Sequence, residues 1–417
     1  MGTKGEERQW HLVRNDNGEW ISDENVEFLS NEEARHLQIM AKMAGKKLSI
    51  QHGCDGELWC YKHEKKNNQN IKHMAEKTII ENYKKSETQS EYEKKTFIEP
   101  LRDRVRAVSG KSRNIILPQY ICFKIQEDRK LLINIEEQKG IRAGEEIALN
   151  ATCKNMQTDN AAFEGWAVCL KAWLPEVIES VELKWDVPKE RNEHYNRFCY
   201  RVMKMKESFD WFSIANFNQC EIDNFQENLN NLQNNCGNKI PEKKFKHGGR
   251  VGENAVEYDM VHEQYFPQLL CSHYNIPKIY HQLPVGVKQD GISFFAGSKA
   301  AIDLWGMNEN ELTIIELKYE NEMVGIISEL FFYASLMRDI VLGRISKPNA
   351  VLSHEKALYK NIEKMSVIHA RMLADVYHPL VDYEHVFMLL NDNQLKDVKI
   401  DFDKSLYSYI PSTLKFQ

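Results

Sequence analysis

The sequence predicts an α/β fold in which a mixed sheet, flanked by helices, occupies the last third of the chain. Three patterns favour this fold. Apolar residues have helical spacing over residues 254–271 and again over residues 324–342, and short apolar runs typical of strands lie between and after these stretches. The predicted order is therefore one helix, three strands, a second helix and a final strand.

The predicted strands of this region differ in character. Those before the second helix are short, and residues 307–310 supply the turn between two of them. The run after it is continuously apolar, as expected for a strand that is buried on both faces. In chain order, the predicted strands are residues 278–287, 298–305, 311–319 and 383–390.

The N-terminal half of the chain has a different pattern. Apolar clusters on both sides of Glu127–Lys130 predict a hairpin over residues 113–137. Residues 160–217 hold much of the aromatic content, which is typical of a mixed α/β core. A mixed α/β region therefore precedes the C-terminal sheet.

The length of the chain, 417 residues, exceeds what one typical core accommodates. We predict that residues 1–220 recognise a target, sense a signal or mediate assembly, with a further division near residue 110. Residues 221–250 are rich in Asn, Gln and Lys and hold too few apolar residues to build an element, which indicates a linker. Residues 251–417 would form the C-terminal domain.

The composition excludes some classes of protein. The chain is 42% hydrophobic with a net charge of −6, which excludes a globally basic nucleic-acid coat but not a local basic groove. Its nine cysteines are an odd number and scattered, which favours reduced thiols over a disulfide framework. No apolar run reaches the length of a membrane span. We therefore expect a cytoplasmic protein without a membrane partner.

Two of the predicted strands carry charged residues where a core is expected. Asp303 lies inside the apolar run Ala300–Trp305, and Glu316 and Lys318 lie at the end of the next strand. Because side chains alternate along a strand, Glu316 and Lys318 lie on the same face of the sheet. The short turn makes the two strands neighbours, so we expect Asp303 beside Glu316.

Buried carboxylates of this kind are costly unless a cation compensates them. Their oxygen atoms suit Mg²⁺ or Mn²⁺. A bound ion polarises a phosphoryl oxygen and activates a water molecule, and Lys318 would orient that water or stabilise the transition state. Asp303, Glu316 and Lys318 are therefore the candidate catalytic residues, and Asp303 and Glu316 are the candidate metal ligands.

This arrangement resembles the PD-(D/E)XK nuclease superfamily, which includes restriction endonucleases and RecB-type nucleases. The resemblance covers residues 250–392 and implies a restriction-endonuclease-like core, a mixed sheet flanked by helices. It also implies that Asp303 and Glu316 hold the metal ion and that Lys318 assists the attacking water.

Other positions of the superfamily pattern are matched less closely. A helix before the strands often contributes another glutamate, and both Glu257 and Glu263 are candidates for that metal ligand. Ile302 stands where the superfamily has a proline before the aspartate. Glu329 and Tyr333 have the spacing of the RecB-type glutamine and tyrosine, and the glutamate puts that subgroup in doubt without affecting the metal site.

The resemblance implies a metal-dependent nuclease that hydrolyses phosphodiester bonds in double-stranded DNA. It further suggests a homodimer that acts in restriction or another form of bacterial defence. A basic cluster at the predicted linker would contact the DNA backbone, although such a cluster is usually just a solvated linker. The cluster consists of Lys243, Lys244, Lys246 and Arg250.

The alternative function is a catalytically inactive nuclease fold that binds nucleic acid or takes part in assembly. A separate interpretation is purely structural: Asp303 and Lys318 form an ion pair across the hairpin, and Glu316 is solvated. The Glu-x-Lys spelling also occurs at Glu182 and Lys184, but no aspartate lies on a preceding hairpin strand there.

Overall fold

The computed structural model describes most of the chain from residue 89 onward and three short strands before it. The described residues are 26–30, 51–52, 58–62, 89–110, 112–135, 156–188, 191–234, 252–297, 300–411 and 413–417. The chain divides into two compact units, Met1–Glu87 and Thr88–Gln417. The described strands of the first unit are β1 (Val26–Ser30), β2 (Gln51–His52) and β3 (Leu58–Lys62), which form an antiparallel sheet of order β1-β3-β2.

The first part of the second unit alternates helices and strands. Its elements are α1 (Gln89–Glu93), α2 (Glu99–Ser109), β4 (Ile121–Ile125), β5 (Lys130–Ile135), α3 (Phe163–Trp173), β6 (Ser180–Trp185), α4 (Glu193–Ser208), β7 (Phe212–Ile214), α5 (Asn216–Glu227) and β8 (Leu232–Asn234). Strands β4 to β7 form a sheet in that order. The first two are an antiparallel hairpin, and β6 and β7 each lie parallel to the strand before them.

The last part of the second unit contains the largest sheet of the described chain. Its elements are α6 (Glu253–His262), α7 (Phe266–Tyr274), β9 (Ile279–Pro284), β10 (Val287–Gln289), β11 (Ile292–Ser293), β12 (Ala301–Met307), β13 (Glu311–Lys318), α8 (Gly325–Val341), α9 (Lys356–Asn361), β14 (Val367–Ala374), α10 (Glu384–Asn391), β15 (Lys399–Ile410) and β16 (Thr413–Phe416). The six-stranded sheet has the order β16-β15-β14-β13-β12-β9. Strands β13, β14 and β15 are parallel, whereas β9, β12 and β16 each run antiparallel to the strand beside them.

The centre of the second unit is formed by β13 and α8, and their sequences explain why. Seven of the eight residues of β13 are buried, since the strand is rich in Leu and Ile and has a neighbouring strand on each side. Every residue of α8 is buried, because the helix packs against β13 and β14 on one side and against α3 on another. A helix that is buried on all sides is typical of such a central position.

The predicted mixed α/β class, with mixed sheets flanked by helices, is confirmed. The helical pattern of residues 254–271 corresponds to α6 and α7, which a short break separates. The three predicted strands before α8 correspond to β9, β12 and β13, and the predicted hairpin corresponds to β4 and β5.

The predicted strand at residues 383–390 is wrong, because this segment forms the helix α10. Val386, Phe387 and Leu390 are buried while Met388 is exposed, which is the periodicity of a helix face. A short, continuous apolar run does not distinguish a strand from a buried helix. The final strand of the predicted order is β14 instead.

The predicted linker, residues 221–250, is structured in its first part. It completes α5 and then forms β8, which pairs with β10, while residues 235–250 lie outside the described residues. One hydrophobic core extends from Phe97 to Phe402, so segments on both sides of the predicted linker belong to the same compact unit. The division between the units lies after Glu87 rather than at this linker, because α3 buries its surface against α8.

The packing between α3 and α8 is close and partly polar. A Cβ atom on Gly165 would overlap Val324, just before α8. The buried carboxylate of Glu164 accepts a hydrogen bond from Arg201 Nε at 2.6 Å and from Ser328 Oγ at 2.8 Å. These contacts fix α3, α4 and α8 relative to one another. Among the described helices, none is long and apolar enough to cross a membrane.

Gly325 begins α8 at a point where the chain before α3 touches it. A Cβ atom there would overlap the backbone oxygen of Gln157, and a backbone oxygen moves less easily than a side chain. We expect Gly325→Ala to lower the free energy of unfolding by about 1–3 kcal/mol, as other overpacked positions do. Urea unfolding measures this change. The matched substitution Gly252→Ala, where a Cβ atom meets nothing within 4 Å, should cost at most about 1 kcal/mol; equal losses in the two variants would contradict the close contact.

His378 is a buried imidazole that should make stability depend on pH. Burial lowers its pKa from 6.5 to about 4, and its Nδ1 atom accepts a hydrogen bond from the backbone N–H of Leu380 at 3.2 Å. Between these pKa values the unfolded chain binds more protons, so stability falls as the pH falls from about 6.5 towards 4. We expect a loss of about 2 kcal/mol between pH 7 and pH 5 from this group. Urea unfolding at both pH values should show a smaller pH dependence in His378→Asn, and an unchanged dependence would refute the assignment.

Candidate active site

Asp303 lies where the pairing of β12 with β13 ends. The two strands pair as far as Leu304 and Ile315. One step further, Asp303 Oδ2 accepts a hydrogen bond from the backbone N–H of Leu317 at 2.8 Å. The carboxylate therefore takes the place of a backbone partner, and the continued register sets Asp303 opposite Glu316. The predicted proximity of these two carboxylates is thus supported by the strand register.

The strand on the other side of Asp303 is locally distorted. Gln282 of β9 has a φ of 47°, a left-handed conformation that is uncommon for a residue with a side chain. The residues on either side of it pair regularly with β12, so the distortion is confined to the level of Asp303. Irregular backbone of this kind is enriched beside functional sites, where it redirects a side chain.

Lys318 is a buried ammonium group among carboxylates from three elements. Its Nζ atom lies 2.7 Å from Glu316 Oε1 on its own strand, 3.2 Å from Glu329 Oε2 on α8 and 3.5 Å from Glu253 Oε1 on α6. The residue is 3% exposed, and Glu316 and Glu329 are each 2% exposed. The lysine and the glutamate of the predicted site are therefore in direct contact, and both are buried.

Glu329 connects this cluster to the chain before α3. Its Oε1 atom accepts a hydrogen bond from Gln157 Nε2 at 2.6 Å and another from Tyr333 OH at 3.2 Å. Glu329 and Tyr333 lie one turn apart on the same face of α8, as their spacing predicts. Gln157 fixes the orientation of the carboxylate that faces Lys318.

Of the two glutamates predicted as a third ligand, Glu257 is the one near Asp303. Glu257 is buried, its Oε1 atom lies 2.9 Å from His281 Nε2, and its charge raises the pKa of Asp303. Glu263 lies at the end of α6, where its charge acts on Tyr409 instead. The position of Glu257 on the inner face of α6 makes it the better candidate.

The electrostatics of the cluster favour a bound cation. Burial raises the pKa of Asp303 well above its usual range, and the charge of Glu257 adds to the effect. Burial also raises the pKa of Glu316, with further contributions from Asp303 and Glu329. Burial would lower the pKa of Lys318, but these surrounding carboxylates raise it well above the usual value. The lysine therefore stays protonated, and it is the carboxylates that lack sufficient positive charge.

The donor atoms suit a small, hard cation with an incomplete protein shell. Within the described residues, no three His, Cys, Asp or Glu side chains are grouped closely enough to enclose a metal ion. Glu316 Oε2, however, is a buried oxygen that accepts no hydrogen bond from the described residues, and the Glu329 carboxyl group lies beside Glu316. Mg²⁺ commonly binds through one or two carboxylates and keeps several water molecules. Asp303 and Glu316 fit such a site.

Sequence reasoning missed two residues of the cluster. Glu253 lies in the first turn of α6, and its Oε2 atom accepts a hydrogen bond from the backbone N–H of Tyr319 at 3.3 Å. An acidic residue at a helix start carries a weak signal, since the helix dipole alone explains it. Gln157 carries no sequence signal. The predicted DNA-contacting residues Lys243, Lys244, Lys246 and Arg250 lie outside the described residues.

Comparisons with known proteins found no relative of this chain. No protein-family model matches the chain, and neither the curated proteins nor the solved structures include a significant match.

Removing the ammonium group of Lys318 should strongly destabilise the fold. In Lys318→Met the carboxylates of Glu316 and Glu329 lose their shared ammonium group, and breaking a buried ion pair costs about 3–5 kcal/mol. The loss should be larger at pH 8 than at pH 5, because protonation relieves a buried carboxylate. Urea unfolding at both pH values measures it. Lys347→Met, which breaks an exposed pair with Glu363, should cost less than about 1 kcal/mol; a similar small cost at Lys318 would contradict the buried cluster.

Proposed function

We propose that this protein is a metal-dependent nuclease that hydrolyses phosphodiester bonds, and that its substrate is double-stranded DNA. The observation that carries the proposal is the pair of acidic residues Asp303 and Glu316 on adjacent strands, with Lys318 on the same face as Glu316 and in contact with it. The strand and helix order around them supports a restriction-endonuclease-like core, as the resemblance to the PD-(D/E)XK superfamily implies. That resemblance also suggests a role in restriction or bacterial defence.

Asp303 and Glu316 would hold Mg²⁺ or Mn²⁺, and Glu257 is the nearest further carboxylate that is able to assist. When bound, the cation would supply Lewis-acid polarisation of the scissile phosphate and would lower the pKa of a water molecule. The hydrogen bond from the N–H of Leu317 fixes one oxygen of Asp303 and leaves the other for a ligand.

Lys318 would stabilise the negative charge that develops on the phosphate during attack. Its pKa is raised, so it acts as a fixed positive charge and hydrogen-bond donor rather than as a general base. The contacts to Glu329 and Glu253 hold the ammonium group in position. A preorganised charge in a site of low exposure is worth more to a transition state than the same charge in water.

A second candidate function is an inactive nuclease fold that binds nucleic acid or takes part in assembly. The direct contact between Lys318 and Glu316 favours it, since a closed ion pair has a purely structural explanation. The two functions differ in the need for a metal ion. An inactive fold would bind DNA without cleaving it, with or without divalent cations.

Plasmid cleavage in Mg²⁺ or Mn²⁺ tests the proposed function. We expect the wild-type protein to cut the plasmid. The near-isosteric variants Asp303→Asn and Glu316→Gln should lose about 100-fold of the activity or more, because substitution of a residue that merely hydrogen-bonds to a metal ligand already lowers activity by up to about 100-fold. Glu182→Gln is the matched control, since it alters the other Glu-x-Lys sequence, on β6.

The control variant Glu182→Gln should cut at the wild-type rate. Cleavage that survives both Asp303→Asn and Glu316→Gln would refute the proposed site. Intact DNA in every metal, together with binding of the plasmid in a mobility-shift assay, would favour the inactive fold.

A further inference from the structure

The two sheets of the second unit share one topology. We name residues 89–234 the N-half and residues 252–417 the C-half. In the N-half, β4 and β5 are antiparallel, and β6 and β7 follow as parallel neighbours in the order β4-β5-β6-β7. In the C-half, β12 and β13 are antiparallel, and β14 and β15 follow as parallel neighbours in the order β12-β13-β14-β15. Order and strand directions are identical over four strands.

The helices repeat in the same way. Helix α3 connects β5 to β6 as α8 connects β13 to β14, and α4 connects β6 to β7 as α10 connects β14 to β15. A helical segment precedes the hairpin in both halves, α2 in one and α6 with α7 in the other. Six elements of the N-half, from the first hairpin strand to the fourth strand of its sheet, therefore have a counterpart in the C-half, where the short helix α9 is an addition between α8 and β14.

The packing between the halves is reciprocal. The crossover helices α3 and α8 pack on each other. Helix α3 of the N-half also packs on α10 of the C-half, where Trp173 stacks on Tyr383 at 4.0 Å. In the corresponding contact, α8 meets α4 of the N-half, where Tyr200 OH donates a hydrogen bond to Asp339 Oδ2 at 2.8 Å. Helix α3 corresponds to α8, and α10 corresponds to α4, so the two contacts are the same contact made in both directions. This is the pattern of two copies related by a two-fold axis.

The hairpin registers show which residues correspond. The ladder pair nearest the turn is Ile125 with Leu131 in the N-half and Met307 with Leu312 in the C-half. Four steps outward along each strand, the C-half has Asp303 opposite Glu316. The same four steps in the N-half lead to Ile121 opposite Ile135.

The N-half therefore has two isoleucines where the C-half has two acidic residues. Ile121 and Ile135 are both fully buried, and neither has an atom that binds a metal ion. Ile135 shares its strand face with Leu131 and Ile133, and Glu316 shares its face with Leu312 and Ile314. Because these four apolar residues belong to one core, Ile135 and Glu316 occupy matching positions on the sheet face. The place of the active site in the N-half is filled with hydrophobic core.

We propose that the second unit is an internal pair of like folds with one metal site, and that each binding event therefore cuts one strand of a duplex. This inference rests on the proposed nuclease activity. In the reaction, the oxygen of water bonds to phosphorus and one P–O ester bond breaks. One proton of the water ends on the released hydroxyl group and the other in solvent. Because the described residues of the N-half hold isoleucines in place of a second acidic pair for the opposite strand, we expect a nicked duplex as the product.

Supercoiled plasmid with Mg²⁺ or Mn²⁺ distinguishes the outcomes, with the full chain at several concentrations. We expect nicked circles as the first product, formed at a rate proportional to protein concentration, and linear DNA only after nicks accumulate. Linear DNA formed directly from supercoiled DNA would overturn the single-strand inference while leaving the proposed nuclease function intact. The inference would also be overturned if the rate of formation of linear DNA rose more steeply than the protein concentration, since two chains would then act together. Absence of cleavage in every metal would overturn both.

Metal titration tests the single site without reference to cleavage. Calorimetric titration with Mn²⁺ should show a saturable binding event that Asp303→Asn abolishes. Ile135→Val, the matched variant of the N-half, should leave both the Mn²⁺ binding and the nicking rate unchanged. Saturable Mn²⁺ binding that remains in Asp303→Asn would reveal a second site and overturn the inference.

Discussion

The burial of Lys318 among carboxylates is the constraint on which the rest of the second unit depends. An ammonium group removed from water is tolerated only where opposite charges lie within contact distance and are themselves held in place. Here those charges come from β13, α8 and α6, so a sheet and two helices must meet at one point. The cluster carries more carboxylates than cations, and that imbalance makes it suited to recruit a metal ion rather than merely to close an ion pair.

Helix α8 carries this constraint to the N-half. The face of α8 that points away from the sheet is buried, because α3 and α4 pack on it. Gln157, in the chain just before α3, donates a hydrogen bond to Glu329 on α8. The close approach at Gly325 holds that segment against the start of α8. The candidate site is therefore built by residues from both halves, although its acidic residues and lysine come from one.

The parts of this structure that local patterns encode could be predicted from the sequence. Asp303 beside Glu316 follows from strand alternation and a short turn, and the helix over α8 follows from its apolar spacing. The predicted strand at α10 is wrong because eight consecutive, mostly apolar residues suit either structure until their partners are known. Gln157 and Glu253 join the cluster only through tertiary packing. The repeated topology is also hidden at the site itself, since the N-half has isoleucine at both positions where the C-half has an acidic residue.

A helix that is buried on every side has a consequence for how the chain folds. Neither half is able to shield α8 alone, so a partly folded chain with only one sheet formed would leave a long apolar surface in water. The two halves should consequently unfold together in one cooperative transition, despite having separate sheets. Contacts between α3 and α8 join residues far apart in sequence, and such long-range closure slows folding. During synthesis, the interior of the N-half is complete only after α8 of the C-half has been made and has packed on α3.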